Sequence, residues 1–170
     1  MPYYIRRLGR AFVWAVCLSL AAVTPGMADS GATVTPQKTN VGVTLMAVQF
    51  KDAKTGWAVG SGGVILKTVD GGAQWKKQVS GTTVLLTSLF FSDAKTGWVT
   101  GLGGTLRQSV NGGASWTGHP LDTQQPLYGV YFVSPSVGWV VGGGGTILHT
   151  DDGGAHWIEQ FSGTNAALYA

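Results

Sequence analysis

Hydrophobic positions along this chain repeat every 41 residues, without an insertion or deletion. Three sets of aromatic residues carry this register: Phe50, Phe91 and Phe132; Trp57, Trp98 and Trp139; and Trp75, Trp116 and Trp157. A fixed period of this kind indicates a repeat architecture, in which each unit packs on its neighbours. Because six tryptophans occupy only two repeat positions, we predict that they are packing residues.

Within one repeat, short segments of apolar and β-branched residues are separated by glycine-rich turns. In the first repeat this pattern predicts strands at 46–50, 57–60, 64–68 and 74–79. Four short strands joined by hairpins in about 40 residues are typical of one β-propeller blade. The sequence therefore predicts an all-β fold built from propeller blades of four antiparallel strands.

The register also predicts the domain organisation. The predicted blades are 45–85, 86–126 and 127–167. In the leading segment 29–44, residues 33–37 align with a fourth strand and are predicted to complete a preceding or last blade. Residues 168–170 repeat the start of a blade and are predicted to begin a truncated fourth one. Since closed propellers have about 4 to 8 blades, we expect an incomplete ring, which is either part of a longer protein or completed by self-association.

Each blade contains one tight turn with a constant set of side chains, in the order Ser/Thr-x-Asp/Asn-x-Gly-x-x-Trp. Asp-Gly and Asn-Gly pairs favour hairpin turns, and the hydroxyl and the carboxylate or amide can bond turn amides. We expect the Trp to fold against the turn. The predicted structural residues are Thr68, Asp70, Gly72, Trp75, Ser109, Asn111, Gly113, Trp116, Thr150, Asp152, Gly154 and Trp157.

The first 28 residues have the pattern of a secretory signal peptide. Three arginines precede an apolar run at 11–23, and Gly26-Met27-Ala28 offers a small-residue cleavage site. An uncleaved N-terminal anchor is the alternative. We expect an exported, periplasmic protein that is not inserted in the membrane after cleavage.

Removal of this segment changes the charge of the chain. Residues 29–170 contain eight basic and eight acidic side chains and no cysteine. A neutral chain gives no support for nucleic-acid binding. The lack of a thiol excludes disulfides, thiolate metal sites and cysteine catalysis in this part of the chain.

These turns and the blade consensus LxxVxFxDxxxGWxVGxxGxILxTxDGGxxW resemble the photosystem II stability/assembly-factor-like family of Asp-box propellers. Residues 45–75 and 127–157 carry the consensus nearly in full, and 86–116 departs from it at Thr100, Arg107 and Asn111. The resemblance implies an exported, seven-bladed, non-enzymatic scaffold or assembly factor without a cofactor. It also implies a protein partner, which in photosynthetic members is a photosystem II subunit met in the thylakoid lumen.

Asp boxes also occur in sialidases, so a carbohydrate-active or glycan-binding propeller is the alternative function. Sialidases need an arginine cluster, and most glycosidases use a pair of carboxylates. Residues 29–170 contain one arginine, Arg107, and one glutamate, Glu159. We therefore predict no catalytic residues and no enzyme activity. A truncated fragment of a longer propeller protein is the third hypothesis.

Two further features could carry chemistry. His149 and His156 flank the third turn and could bind a metal ion with Asp151, but other blades have ordinary polar residues at the two histidine positions, and we predict no metal site. The glycine run 142–145 resembles a phosphate-binding loop. It lacks the Lys-Ser/Thr pair of such loops, so we predict a blade hairpin.

Arg107 is the residue that departs most from the repeat, because the other blades have leucine at its position. One hypothesis is a partner-binding charge on blade 2, since arginine is enriched at interface hot spots. The other is a side chain that packs its stem on the sheet and keeps its charged end in water.

Overall fold

The computed structural model describes residues 35–170, so the predicted signal peptide lies outside the described residues. Three four-stranded antiparallel sheets follow one another, each with its strands paired in sequence order. The first sheet contains β1 (Leu45–Phe50), β2 (Gly56–Gly60), β3 (Ile65–Thr68) and β4 (Lys76–Gln78); the second β5 (Leu86–Phe91), β6 (Gly97–Gly101), β7 (Leu106–Ser109) and β8 (Thr117–Gly118); the third β9 (Leu127–Phe132), β10 (Gly138–Gly142), β11 (Ile147–Thr150) and β12 (Ile158–Glu159).

The sheets are propeller blades, and the prediction of an all-β fold of incomplete propeller type is confirmed. We call them blades 1, 2 and 3; across the described residues they do not close a ring. The fourth strand is shorter than predicted, with three residues in blade 1 and two in each of the others. It lies at the outer edge of its sheet, where short strands limit edge-to-edge pairing.

Glycine determines the turns between the second and third strands. Residues Ser61–Gly63 and Gly143–Gly145 form single 3₁₀ turns. Gly62 and Gly144 have φ values of 67° and 63°, in the left-handed region that favours glycine. The run 142–145 therefore ends β10 and turns the chain into β11, as the sequence predicted.

Buried clusters lie between successive blades and also on blade 1, where Val41 of the leading segment packs against Ala58, Val64 and Leu66. We call the side of a blade that faces the next blade in sequence its trailing face, and the opposite side its leading face. The trailing face of blade 1, with Trp57, Val59 and Ile65, packs on Leu89 and Val99 of blade 2. The trailing face of blade 2 packs in the same way on the leading face of blade 3, through Trp98, Leu106, Val130, Val140 and Leu148.

Short segments without strands lie at the two ends of the array. Residues 35–44 contain no strand, so the strand predicted at 33–37 is absent from its described part. A fourth strand pairs with the third strand of its own blade, and nothing precedes residue 35 in the described chain to supply one. At the other end, the Leu168 amide donates to the Gly142 carbonyl at 2.9 Å, and Tyr169 stacks on Tyr128.

Candidate functional site

The three Asp-box turns have one hydrogen-bond pattern. In blade 1 the buried Thr68 hydroxyl donates to the Asp70 carboxylate at 2.8 Å and accepts the Gly72 amide at 2.9 Å. The same Asp70 oxygen accepts the Gln74 amide at 2.9 Å. Blades 2 and 3 repeat the pattern with Ser109 and Asn111 and with Thr150 and Asp152. The polar side chains thus satisfy the amides of their own turn.

The carboxylates of the Asp-box turns and of the loops between first and second strands have lowered pKa values, which favour the ionised form. The pKa of Asp70 is lowered by the Gln74 amide and then by the Thr68 hydroxyl. The pKa of Asp152 is lowered further, because His156 contributes both its amide and its ring nitrogen. Backbone amides also lower the pKa of Asp52 and of Asp93 in the loops between first and second strands. A general acid needs a raised pKa, and these four shifts are in the opposite direction.

Replacement of Asp70 by asparagine should leave the protein folded at neutral pH and reduce its sensitivity to acid. A lowered folded-state pKa gives stability above the unfolded value of about 3.9, and that stability is lost as pH falls through the folded value. Asparagine removes this titration and keeps the turn, as Asn111 does. Urea unfolding between neutral pH and strong acid measures the effect. The reverse change, Asn111→Asp, should add acid sensitivity, and unchanged profiles in both variants would contradict the prediction.

The Asp boxes of blades 2 and 3 contact the preceding blade. Trp57 stacks on Phe91 with ring centroids 3.7 Å apart, and its indole nitrogen donates to the Gly112 carbonyl at 3.1 Å. Trp98 stacks on Phe132 at 5.3 Å. We call the phenylalanine that ends the first strand, the Asp-box glycine pair and the Asp-box tryptophan the receiving site of a blade. The sequence predicted the turn but gave no sign of this role.

Arg107 lies at the junction of blades 1 and 2 and is half-buried. It pairs with Val99 across the sheet, so it extends from the leading face of blade 2. Its guanidinium donates to the Trp116 carbonyl at 3.2 Å and lies beside Gly81 in the linker from blade 1. The buried Nε atom has no hydrogen-bond partner. Its role in binding a partner stays a prediction.

The two histidines near the third turn have different neighbours. His149 pairs with Ile158 across the sheet and packs on Trp139 with ring centroids 4.9 Å apart. His156 is bound instead to the Asp152 carboxylate at 2.6 Å. In the part of the chain that the structure describes, no group of three His, Cys, Asp or Glu residues could hold a metal ion.

Two clefts accompany the linkers between blades. An open cleft of about 730 Å³ is lined by Gly62, Gly63 and residues 77–83, next to Arg107. A second cleft of about 370 Å³ lies between residues 119–123 and the outer part of blade 3. There His119 packs on Trp98, and burial lowers the pKa of its imidazole. Both clefts lie at blade junctions, where linker backbone is accessible.

Comparison with known proteins assigns the chain to a family. The family profile described as photosynthesis system II assembly factor YCF48 matches residues 29–127, which is more than half of the chain. The chain belongs to this family. The resemblance seen in the blade consensus is therefore confirmed. No curated protein matches the sequence significantly.

Two solved YCF48 structures share the fold of this chain. YCF48 from Cyanidioschyzon merolae matches with a TM-score of 0.65 and 25% identity, covering 76% of this chain and 42% of that one. YCF48 bound to D1 peptide matches with a TM-score of 0.65 and 24% identity, over 71% and 40% of the two chains. The chain thus spans about two fifths of the length of these YCF48 structures.

An ancestral GH74 enzyme shares the fold at a greater distance. It matches with a TM-score of 0.62 and 17% identity, over 80% of this chain and 21% of that one. This likeness concerns the blade architecture alone, because one propeller fold supports unrelated functions.

Among the described residues, no helix has the length and apolar character to cross a membrane.

Proposed function

We propose that this chain is an exported, non-catalytic scaffold that binds a segment of a protein partner during assembly of a membrane-protein complex. The family match over residues 29–127 carries this proposal. YCF48 has been solved with a D1 peptide, and we propose that this family member binds a peptide segment of the same kind. The four carboxylates with lowered pKa values support a structural use of the acidic residues.

The proposal includes export through residues 1–28. The arginine-flanked apolar run and the small-residue site before Asp29 support cleavage at this point. The product would act in the periplasm, or in the thylakoid lumen of a photosynthetic source. Mass spectrometry of the exported protein is the measurement, and a retained Met1 would contradict this part of the proposal.

We place the partner segment in the 730 Å³ cleft beside Arg107. The outer edge strand β4 forms one wall, and an extended peptide can add to such an edge through main-chain hydrogen bonds. Lys77 lines the cleft, and the Arg107 guanidinium lies beside Gly81 in its wall, so both provide positive charge near the cleft. This arrangement suits an extended segment that carries a negative charge.

Replacement of Arg107 by leucine should weaken binding of a labelled D1 peptide while the protein stays folded. Leucine is buried at the same repeat position in blades 1 and 3, so the sheet accommodates it. Loss of one charged hydrogen bond corresponds to roughly a tenfold or larger rise in Kd. Fluorescence anisotropy measures the affinity.

The matched control is Lys54→Ala, which removes an exposed charge from the loop between β1 and β2. Equal affinities for both variants would show that Arg107 is not part of the binding site. The absence of saturable peptide binding would contradict a D1-type partner.

A fluorogenic sialoside tests the alternative function. Hydrolysis that disappears when one carboxylate is removed would overturn the non-catalytic assignment.

A further inference from the structure

The 41-residue repeat allows the two blade junctions to be compared position by position. At the junction of blades 1 and 2, the Arg107 side chain reaches the linker from blade 1. The corresponding residue at the junction of blades 2 and 3 is Leu148, which lines the second cleft of about 370 Å³. A long charged side chain at one junction is thus replaced by a shorter apolar one beside a cleft at the next.

Two glycines flank the Arg107 guanidinium at the first junction. A Cβ added at Gly81 would lie 2.6 Å from its Nη2 atom, and a Cβ added at Gly118 would lie 3.3 Å from its Nη1 atom. The guanidinium also donates to the Trp116 carbonyl at 3.2 Å. The charged group therefore lies between the linker and the fourth strand of blade 2, and a side chain at either glycine position would touch it.

Acidic residues replace both glycines at the second junction. Asp122 has the repeat position of Gly81, and Glu159 has the repeat position of Gly118. Glu159 pairs with Leu148 across the sheet, so the two side chains lie on the same face of blade 3. Both carboxylates line the second cleft. They stand at the two positions that contact a cation at the first junction.

The cation itself is missing from this part of the chain. Residues 35–107 contain eight basic and three acidic side chains, whereas residues 108–170 contain four acidic side chains and no lysine or arginine. Within residues 35–170, neither Asp122 nor Glu159 forms a salt bridge. The two carboxylates are therefore available to a positive charge from outside.

The histidines of the cleft do not neutralise these carboxylates. Burial lowers the pKa of His119, so its imidazole is mainly uncharged at neutral pH. Its Nε2 atom is bound to the Gln108 side chain at 3.2 Å. His156 is paired with Asp152 instead. The cleft thus keeps a net negative charge.

The other walls of the cleft suit the stem of an arginine side chain. Leu121, Leu148 and the half-buried Trp157 supply apolar surface. A long basic side chain packs its methylene groups on such surface while its charged end stays near solvent. A guanidinium also stacks on aromatic rings and pairs with carboxylates through several N–H donors, which an ammonium group does less well.

We propose that the second cleft binds an arginine side chain of a protein partner, with its guanidinium between Asp122 and Glu159. The partner's side chain then takes the place that Arg107 has at the first junction. The Trp157 carbonyl corresponds to the Trp116 carbonyl, which accepts from Arg107. This inference goes beyond the proposed function, because it concerns another cleft and a ligand group of opposite charge.

The test follows the Trp157 indole N–H signal of the ¹⁵N-labelled protein by nuclear magnetic resonance. The probe is a capped Ala-Arg-Ala tripeptide, and the matched control peptide has citrulline, a neutral isostere of arginine, in the central position. The arginine peptide should shift the Trp157 signal in a saturable manner. It should bind about fivefold more tightly than the citrulline peptide, because two exposed carboxylates each contribute modestly.

Three variants of the protein separate the contributions to binding. Leu148→Arg should fill the cleft from within, as Arg107 does at the first junction, and abolish peptide binding. Asp122→Asn and Glu159→Gln should each raise the Kd by about two- to fivefold. The matched control is Asp151→Asn, which removes an exposed charge that does not line the cleft and should leave the Kd unchanged. Circular dichroism verifies that each variant is folded.

Several outcomes would overturn the inference. Equal affinities for the arginine and citrulline peptides would show that charge is not recognised, and an unchanged Trp157 signal would place the peptide elsewhere. Equal weakening by Asp151→Asn and Glu159→Gln would reduce the effect to net charge. Peptide binding that persists in folded Leu148→Arg protein would also contradict it. The D1 peptide experiment probes the cleft beside Arg107, so its failure leaves these measurements unaffected.

Discussion

Replacement of Trp98 by alanine should lower the free energy of unfolding by about 3–5 kcal/mol, the usual range for a buried tryptophan. The indole is 1% exposed and lies between Phe132 and Trp157 of the next blade. Its loss leaves a cavity in the contact between blades 2 and 3. Urea unfolding followed by circular dichroism gives the change in free energy.

The repeat supplies a matched control at Trp139. This residue has the same position within its blade, but it is half-buried, since no further blade follows it among the described residues. Trp139→Ala should cost about 1 kcal/mol or less when chains are monomeric. Equal costs for the two variants would mean that the face of blade 3 is covered in the monomer, and would contradict the blade packing described above.

Replacement of Gly63 by alanine should cost about 3 kcal/mol. Gly63 has a φ value of 67°, and a side chain in the left-handed region costs about 1–2 kcal/mol. An added Cβ would also overlap the Thr82 carbonyl oxygen, and overpacking of this kind adds about 1–3 kcal/mol. The same unfolding measurement detects this loss.

Gly62 separates these two contributions. It has the same φ of 67°, and an added Cβ would meet nothing within 4 Å. Gly62→Ala should therefore show only the backbone cost of about 1–2 kcal/mol. Equal losses of free energy in the two variants would contradict the predicted cost of the overlap between the added Cβ and the Thr82 carbonyl oxygen.

The repeat made most of the fold predictable. A constant 41-residue spacing places Phe50, Phe91 and Phe132 at the same point of three sheets, and turn glycines separate the strands. The leading segment differs: residues 35–37 form no strand, and the described residues hold no further blade that the predicted strand could complete. Alignment to the repeat cannot show whether a partner strand is present, and a strand needs one for its hydrogen bonds.

The candidate site was less predictable, because it depends on contacts between repeats. The sequence identified Arg107 as an exception but could not show that its guanidinium reaches Trp116 and Gly81. It grouped His149 and His156 as candidate metal ligands, but it could not show that His149 packs on Trp139 and that His156 contacts the Asp152 carboxylate. The uneven charge of the two halves was visible in the sequence and was missed, since the total charge of residues 29–170 is zero.

The order of the strands has a kinetic consequence. Every sheet pairs strands that are consecutive in the chain, and the Asp-box hydroxyl bonds amides two and four residues away. Such short separations reduce the loop-closure entropy that slows the folding of most β proteins. A blade needs only its own segment of about 35 residues to form its hairpins, so the blades can form one after another from the N-terminal side of the array.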